Sequence, residues 1–457
     1  MQPVVLNRIL RGLGANVYGQ GVVILIQLVG VPILLYYWGT RLYGEWLILF
    51  AIPSYLSRTD LGFSISAAND MSAQVSRGDR AGARAVYQSL AALVFSIALL
   101  GLLAVSALVA VAPLREWLHL SALSDREARW VLGLLAASVM VKLMDGVNHA
   151  GFRANGDYPL HVTIHLTGLL FQNLGVWAAA ALGYGPLGAA VAYLLVPLVE
   201  VPAAGLWLSK RHGWLSIGLR HAELSQLRRL FRPALANFAM PLSQAINVQG
   251  MILVVGATLG PVAVVVFSTL RTLTRMVVRM VTSVSEATEP ELAFAWGADD
   301  RTLIAQLYVH SLRAGLWASL AAMLGLFLGG RWILAVWTHG KVIMDVTLFH
   351  WLLATALASV LWNGSVTLLK AANQHLRAAV WYVVTSAAAV GLAAVLLHVT
   401  ANLAYAGVAL LLMDLSMAVY AVYTADALTG IGIGTMLRRV ASPLPLVGLL
   451  VRGKHVY

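Results

Sequence analysis

Charged side chains are scarce in this sequence, and cysteine is absent. Only 11% of the 457 residues are charged, whereas 60% are hydrophobic. A soluble globular protein carries about 25% charged residues, so this chain has too few to cover a surface that faces water. The lack of cysteine excludes disulfides, thiolate metal sites and a cysteine nucleophile. The composition therefore predicts a polytopic membrane protein.

The absence of two sequence motifs excludes further classes of function. No Walker motif occurs, so we expect no ATP hydrolysis on this chain. His161 and His165 have i,i+4 spacing in HVTIH, but no glutamate follows the first histidine and the stretch holds no third ligand. The zincin pattern is therefore absent, and we expect neither a metal site nor a cofactor.

Long apolar runs dominate what is present. Runs of about 20 apolar residues are typical of helices that cross a bilayer. Twelve such helices are predicted, at 15–38, 43–69, 86–112, 129–152, 160–182, 186–209, 234–256, 260–289, 307–330, 345–369, 378–399 and 402–426. Most basic residues outside them fall in alternate loops, which predicts that both termini lie in the cytoplasm. The predicted class is an all-α polytopic membrane protein.

The basic stretch 210–232 divides these helices into two groups of six. It predicts a short amphipathic helix on the cytoplasmic membrane surface that ends at Pro233. The apolar face and the basic residues beside it are Leu224, Leu227, Leu230 and Phe231, with Arg228, Arg229 and Arg232. The predicted domains are an N-terminal lobe (1–209), this linker (210–232), a C-terminal lobe (233–426) and a cytoplasmic tail (427–457).

The two lobes have the pattern of internal repeats. An offset of 218 positions pairs Asp145-Gly146 with Asn363-Gly364, and Ala154-Asn155 with Ala372-Asn373. Because each lobe holds an even number of spans, the repeats would be parallel. Substrate sites in such transporters lie at the repeat interface, so we predict a central cavity between the lobes.

Basic residues inside the predicted helices indicate what that cavity binds. Arg271, Arg275 and Arg279 recur every four residues and drift by only about 80° around the helix, so they share one face. Charged side chains inside a membrane usually face a bundle interior or a water-filled cavity. The offset of 218 places Arg58 on Met276, next to Arg275. The candidate substrate-binding residues are Arg58, Lys142, Arg271, Arg275 and Arg279.

Three acidic residues within the predicted helices are candidates for coupling transport to an ion. A carboxylate in a membrane helix can bind a proton or sodium ion, or it can be a hydrogen-bonded structural group. Asp145 follows Lys142 at i+3, so these two could neutralise each other. Glu200 lies between Pro197 and Pro202 as a lone carboxylate. The ion-coupling candidates are Asp60, Asp145 and Glu200.

The stretch YYWGTRLYGEWLILFAIPSYLSRTDLGFSISAANDMSAQVSRGD resembles the opening hairpin of a known family. The matching elements are Gly39, Tyr43-Gly44, Trp46, Asp60-Leu61-Gly62, Arg77-Gly78-Asp79 and the turn Ala154-Asn155-Gly156. The family comprises the bacterial polysaccharide flippases, the Wzx-type members of the multidrug/oligosaccharidyl-lipid/polysaccharide exporter superfamily. The resemblance extends to chain length, twelve-span layout and duplication.

The resemblance implies two lobes around a cavity that opens alternately to each face of the bacterial inner membrane. It also implies a substrate of undecaprenyl-diphosphate-linked oligosaccharide, which moves from the cytoplasmic to the periplasmic leaflet. Arginines suit a diphosphate because they hold its oxygens by paired, charge-assisted hydrogen bonds. The implied partners are a proton or sodium gradient, membrane lipids, and a polysaccharide polymerase and glycosyltransferases of the same pathway. Nucleic acid is not an expected partner.

Two alternatives remain open. One is a cation-coupled small-molecule antiporter of the multidrug type, although basic residues suit cationic substrates less well than acidic ones. The other is an enzyme, a membrane polysaccharide polymerase or ligase. Such enzymes usually need a large outer loop, and the longest predicted outer connection, 113–129, is too short to build a domain. We therefore expect a transporter and not an enzyme.

Overall fold

The structure is a computed structural model that describes residues 3–57, 62–216 and 218–442. Within these residues the fold is built from α-helices and one π-helical turn, Ile246–Gly250, with no strand. This confirms the predicted all-α class. The helices are α1 (Pro3–Leu56), α2 (Phe63–Ser76), α3 (Arg80–Val111), α4 (Leu114–Trp117), α5 (Asp125–Leu143), α6 (Asp145–Ala154), α7 (Tyr158–Ala181), α8 (Gly185–Arg211), α9 (Leu224–Ala245), α10 (Met251–Leu259), α11 (Pro261–Ala287), α12 (Glu289–Gly297), α13 (Arg301–Trp337), α14 (Val346–Ala371), α15 (Leu376–Thr400), α16 (Ala404–Thr429) and α17 (Ile433–Ala441).

Ten segments of the described chain are long and apolar enough to cross a membrane, so the protein is a multi-pass membrane protein. Two features explain why ten are found where twelve are predicted. The first two predicted helices lie within one candidate span, Tyr18–Tyr55, in which Gly39 (φ 69°, ψ −179°) has a non-helical backbone and separates two helical parts. The helix α7 is not among the ten, since polar side chains such as His165 and Gln172 lower its hydropathy.

Two predicted helix boundaries are wrong. The predicted helix 43–69 is interrupted, because α1 ends at Leu56 and α2 begins only after Gly62. Gly62 adopts a left-handed conformation (φ 75°), and a Cβ atom there would overlap the carbonyl oxygen of Ala234 on α9. A glycine is therefore required where α2 and α9 approach each other.

The predicted linker helix does not end at Pro233. Instead α9 continues through Pro233 and Pro241 to Ala245. Membrane proteins tolerate proline within helices because neighbouring groups satisfy the backbone atoms that proline leaves free. Leu230 is buried in the protein core, and Phe231 packs against Phe63 with ring centroids 6.4 Å apart. The start of α9 thus packs against α2 of the same protein. In the predicted tail, 433–441 are helical and 443–457 lie outside the described residues.

The chain forms two compact units. Unit 1 comprises Met1–Phe267 with Trp337–Val342, and unit 2 comprises Ser268–Val336 with Ile343–Tyr457. The division falls inside α11 and not at the predicted linker, so the predicted domain boundaries stay a prediction. The core of unit 1 includes Met71, Tyr87 and Phe152, and that of unit 2 includes Tyr308 and Leu368.

The backbone repeats between the two halves of the sequence. Gly39 (φ 69°, ψ −179°) and Gly260 (φ 83°, ψ 178°) adopt the same unusual conformation at an offset of 221 positions. At this offset Asp79 and Asp300 each accept a hydrogen bond, of 2.8 and 2.9 Å, from the backbone N–H three residues later. Ser124 and Asp345 also cap their helices at an offset of 221. These matches support the internal duplication that the sequence predicts, with an offset of 221 in this first part of each half. Later in each half, Gly183 and Ala401 both have positive φ at the predicted offset of 218.

A buried glutamate fixes the loop before α5. Glu45 is fully buried, and its carboxylate accepts hydrogen bonds from the backbone N–H groups of Ser121, Ala122 and Leu123 at 2.6, 2.6 and 2.8 Å. A carboxylate can accept several hydrogen bonds at once, so one side chain satisfies three backbone donors that would otherwise be buried without partners.

Candidate functional site

Among the described residues, the largest group of interacting charges lies in unit 1, where α5, α6, α7 and α8 meet. Nζ of Lys142 on α5 donates hydrogen bonds of 2.7 Å to both carboxylate oxygens of Glu200 on α8. The same ammonium group lies 3.8 Å from Oδ2 of Asp145. The Glu200 side chain is only 8% exposed and that of Asp145 only 6%. The predicted contact between Lys142 and Asp145 is present, whereas Glu200 is not the lone carboxylate that the sequence indicates.

A tight turn within the fourth predicted helix precedes Asp145. Met144 keeps helical backbone angles (φ −63°, ψ −21°), and the N–H of Val147 donates at 3.1 Å to its carbonyl oxygen, three residues earlier and not four. The corresponding helix α14 in the second half is one continuous helix. From N-cap to C-cap, Ser124–Asn155 is longer than Asp345–Ala372 by four residues, about one helical turn.

Two histidines on α7 hold the Asp145 carboxylate from the other side. Nε2 of His161 lies 3.1 Å from Oδ1, and Nδ1 of His165 lies 2.7 Å from Oδ2. Their i,i+4 spacing places both rings on one face of the helix. The His161 side chain is buried, whereas that of His165 is 41% exposed. The five side chains of this group, which we call the unit 1 cluster, are Lys142, Asp145, His161, His165 and Glu200.

The resident cation of the unit 1 cluster is an ammonium group. The oxygen and nitrogen atoms of Asp145, His165 and Glu200 lie within 4.8 Å of one another, a spacing that could surround a cation. The hydrogen bonds from Lys142 to Glu200 show that the lysine ammonium already has that role. One lysine and two carboxylates, Lys142, Asp145 and Glu200, together carry a net charge of about −1.

Small and polar residues make room for Glu200. A Cβ atom on Gly168 of α7 would overlap Oε2 of Glu200, so a larger residue at this crossing of α7 and α8 would displace the carboxylate. Pro197 on α8 cannot donate a hydrogen bond to the carbonyl of Tyr193, four residues earlier. Gln172 and Ser138 donate to that carbonyl at 3.0 and 3.2 Å instead. Side chains of α5 and α7 therefore satisfy the carbonyl group that Pro197 leaves without its helical partner.

The arginines of α11 belong to unit 2 and differ in their exposure. Arg271 is buried at 8% exposure, Arg275 is exposed, and Arg279 is partly buried. The charges of Arg271 and Arg275 both act on the carboxyl group of Asp414 and on Tyr382. Arg271 and Arg275 therefore lie in one electrostatic environment with the acidic group of Asp414.

Asp414 on α16 is a residue that the sequence analysis missed. Its side chain is 5% exposed, and Nε1 of Trp362 donates a hydrogen bond of 2.7 Å to Oδ1. The Trp362 ring lies 5.0 Å from that of Tyr382. A lone carboxylate in the apolar run LLLMDLSM is the signal that could have identified it. We call Arg271, Arg275, Trp362, Tyr382 and Asp414 the unit 2 cluster.

Two candidate residues, Arg58 and Asp60, lie outside the described residues. The predicted pairing of Arg58 with Arg275 across a cavity therefore stays a prediction. Among the other candidates, the structure brings Lys142, Asp145 and Glu200 together in unit 1 and places Arg271, Arg275 and Arg279 on α11.

Comparison with known proteins identifies the fold. No protein-family model matches this sequence, and no curated protein matches it. The structure is similar to that of a multidrug resistance MATE family transporter of the MOP superfamily in an inward-facing conformation, with a TM-score of 0.74, 15% identity, and coverage of 91% of this chain and 95% of that one. An outward-facing structure of a multidrug resistance MATE family transporter matches with a TM-score of 0.65, 16% identity, and coverage of 94% and 96%. The likeness shows that the chain has the fold of these transporters.

Proposed function

We propose that this protein is a cation-coupled secondary transporter that moves a small amphipathic molecule across the membrane by antiport. The observation that carries the proposal is the unit 1 cluster, in which two buried carboxylates share one lysine. Ionisable residues inside a membrane are costly and mark ion pathways and proton relays. A cluster with a net charge of about −1 is neutralised when it binds one cation. Binding is favourable because it removes an uncompensated charge from an apolar environment.

Coupling follows if ion and solute favour different states of the protein. A ligand shifts a conformational equilibrium only by its difference in affinity between the two states. A cation that neutralises the unit 1 cluster would stabilise the state in which Asp145 and Glu200 are most buried. Release of that cation leaves uncompensated charge and favours the other state, so one ion crosses for each conformational cycle.

The fold supports small-molecule antiport as the function. The similar structures are of multidrug resistance transporters, in inward-facing and outward-facing conformations. A transporter needs both conformations to expose a site to each side of the membrane in turn. Within unit 2, Arg275 is exposed and its charge acts on Tyr382, so its guanidinium is a charged group that an amphipathic molecule could contact.

A second candidate function is a flippase for undecaprenyl-diphosphate-linked oligosaccharide. The observation that favours it is the pair of arginines in unit 2, which together with Asp414 carry a net charge of about +1. Arginine is the residue that best holds phosphate oxygens by paired hydrogen bonds. In this case Arg271, Arg275 and Arg279 would hold the diphosphate, and the polymerase and glycosyltransferases of the pathway would be partners.

The proposed location is the bacterial inner membrane, with both termini in the cytoplasm. The concentration of lysine and arginine in alternate predicted loops supports this orientation. Membrane lipids and an ion gradient are then partners under either candidate function, and neither candidate needs enzymatic activity on this chain.

Uptake into proteoliposomes tests the two candidates. Vesicles that contain the purified chain are given a cationic dye or an anionic dye, under an imposed proton or sodium gradient. We expect gradient-driven dye uptake that the Glu200→Gln variant abolishes. Uptake that does not depend on either gradient, or that persists in Glu200→Gln, would contradict cation coupling by this cluster.

Export of surface polysaccharide tests the flippase. The double variant Arg271→Ala/Arg275→Ala should abolish export while the protein stays in the membrane. The control is Arg220→Ala/Arg228→Ala, which removes two exposed arginines. Normal export in the first double variant would exclude the flippase assignment of these arginines.

A further inference from the structure

The end of α13 and the turn after it belong to unit 1, although the chain on both sides belongs to unit 2. This segment is Trp337–Val342, and the neighbouring chain ends at Val336 and resumes at Ile343. We infer that Trp337 and Lys341 form a latch on α1, and that this latch opens whenever the protein changes conformation. The inference rests on the proposed function, since it names a contact that an alternating transporter would break in each cycle.

The indole group of Trp337 supplies a hydrogen bond that α1 cannot make for itself. Pro32, inside α1, has no N–H to donate to the carbonyl oxygen of Leu28, four residues earlier. Nε1 of Trp337 donates a hydrogen bond of 2.8 Å to that oxygen instead. A carbonyl group at membrane depth needs a partner from the protein because hydrocarbon offers none. Trp337 therefore binds α1 at the place where proline interrupts its hydrogen bonds.

Lys341 binds α1 at its second interruption. Gly39 has a non-helical backbone (φ 69°, ψ −179°) and ends the first helical part of α1. Carbonyl groups in the last turn of a helix lack helical N–H partners, and the dipole attracts a cation to this end. Nζ of Lys341 donates to the carbonyl oxygens of Leu35 and Tyr36 at 3.0 and 3.1 Å. It also lies 5.0 Å from the centre of the Tyr36 ring, so the ammonium group caps this helix end.

The turn that precedes Lys341 is held in place from both sides. His339 and Gly340 have positive φ values of 51° and 72°, a conformation that is uncommon for a histidine. The N–H of Lys341 donates at 3.1 Å to the carbonyl oxygen of Thr338. Thr338 and Val342 are buried, at 0% and 4% exposure. Two buried side chains and two side chains that donate hydrogen bonds thus fix the segment on α1.

The latch joins parts of the chain that have to separate when unit 2 moves away from α1. The backbone runs directly from the latch into α13 on one side and α14 on the other. A motion that carries unit 2 away from α1 at this end must therefore break the three hydrogen bonds from Trp337 and Lys341. Under the proposed orientation this is the periplasmic end of the protein. So few hydrogen bonds can bias a conformational equilibrium without preventing the change.

Two measurements on the full chain in lipid nanodiscs test the latch. Because the chain has no cysteine, an introduced cysteine is the only thiol. The first measurement is the rate at which Val342→Cys, at a buried position of the latch, reacts with a water-soluble maleimide. The latch variant Trp337→Phe/Lys341→Met removes the donors of all three hydrogen bonds. We expect it to raise the reaction rate at least about tenfold, since hydrogen bonds from charged donors are the stronger ones.

A matched control removes the same kinds of group from exposed positions on α13. This control variant, Trp332→Phe/Arg331→Met, should leave the reaction rate of Val342→Cys unchanged. Val86→Cys, at a fully buried position in the core of unit 1, should stay unreactive in both variants, which shows that the fold is retained. Equal reaction rates of Val342→Cys in the latch variant and the control variant would overturn the inference.

The second measurement follows the opening as a distance between the two units. Spin labels on Glu116→Cys in unit 1 and Thr400→Cys in unit 2 occupy exposed positions in predicted outer connections. We expect the latch variant to raise the ratio of longer to shorter distances at least about tenfold, and the control variant to leave it unchanged. An unchanged distribution of distances in the latch variant would overturn the inference. If the latch variant opens but the wild-type chain carries no solute into vesicles, the latch stands and the proposed transport function fails.

Discussion

Lys142 and Glu200, 58 positions apart in the sequence, form a two-pronged ion pair between α5 and α8, with Nζ 2.7 Å from both carboxylate oxygens. Replacing Lys142 with methionine would leave Glu200 as an unpaired charge in an apolar helix. Breaking a buried ion pair typically costs about 3–5 kcal/mol, whereas replacing both partners is often neutral. We expect Lys142→Met to lower the unfolding temperature in detergent, and the added Glu200→Gln to restore most of the loss.

The double variant Lys142→Met/Glu200→Gln thus shows whether stability depends on the interaction of the two residues or on each residue separately. A loss of stability in the double variant equal to the sum of the two single losses would mean that the residues act independently. That result would contradict the ion pair as the link between α5 and α8.

Gly168→Ala tests the space that Glu200 occupies. The new Cβ would overlap Oε2 of Glu200 and force the carboxylate to move. We expect a loss of about 1–3 kcal/mol in the free energy of unfolding, typical of overpacking, and a lower rate of transport. The matched control is Gly133→Ala on α5, where no atom lies within 4 Å of the new Cβ. It should be neutral or stabilise the helix by up to about 1 kcal/mol. Equal effects of the two substitutions would contradict the close approach of α7 and α8.

Glu45→Gln tests the carboxylate that holds the loop at 121–123. An amide oxygen accepts fewer hydrogen bonds than a carboxylate, and its NH₂ group would face backbone donors. Leaving buried donors without partners costs about 1–3 kcal/mol. We expect faster hydrogen–deuterium exchange at Ser121, Ala122 and Leu123. Glu116→Gln, at an exposed position on α4, should leave that exchange unchanged. Unchanged exchange in Glu45→Gln would contradict the structural role of Glu45.

Asp414→Asn tests the electrostatics of the unit 2 cluster. Asparagine keeps an oxygen to accept the hydrogen bond from Trp362 but removes the charge that opposes Arg271 and Arg275. The net charge of the cluster then rises from about +1 to about +2, and binding of an anionic dye should tighten by about tenfold at low ionic strength. Asp299→Asn, at a side chain 79% exposed, is the control. Weaker or unchanged binding of the dye in Asp414→Asn would contradict the assignment.

The apolar runs predict the helices well because the length of a membrane span is set by the bilayer. They predict α11 and α14 within a few residues at either end. They do not predict the tight turn at Met144, because an apolar sequence can continue through a local change of helix geometry. The end of the linker helix is predicted wrongly because Pro233 is a helix breaker only where no neighbouring group compensates for its missing N–H.

The candidate site could be predicted only in part. The i+3 spacing of Lys142 and Asp145 predicts their contact, and the i,i+4 spacing of His161 and His165 predicts a shared face. The sequence does not reveal that both pairs meet at Asp145, since that depends on how α5, α6 and α7 pack. The sequence does not reveal the contacts of Asp414, because its hydrogen bond partner Trp362 lies on another helix, 52 positions away.

Ion movement across proteoliposomes tests the central claim most directly, namely that the unit 1 cluster couples solute movement to a cation. Vesicles with equal sodium and equal pH on both sides, loaded with fluorescent indicators of pH and of sodium, receive an external dye. The account predicts that dye uptake by the wild-type chain drives protons or sodium out, so that the internal pH rises or the internal sodium concentration falls, and that Glu200→Gln shows neither dye uptake nor ion movement. Dye uptake by the wild-type chain with no change in either internal ion would contradict the account.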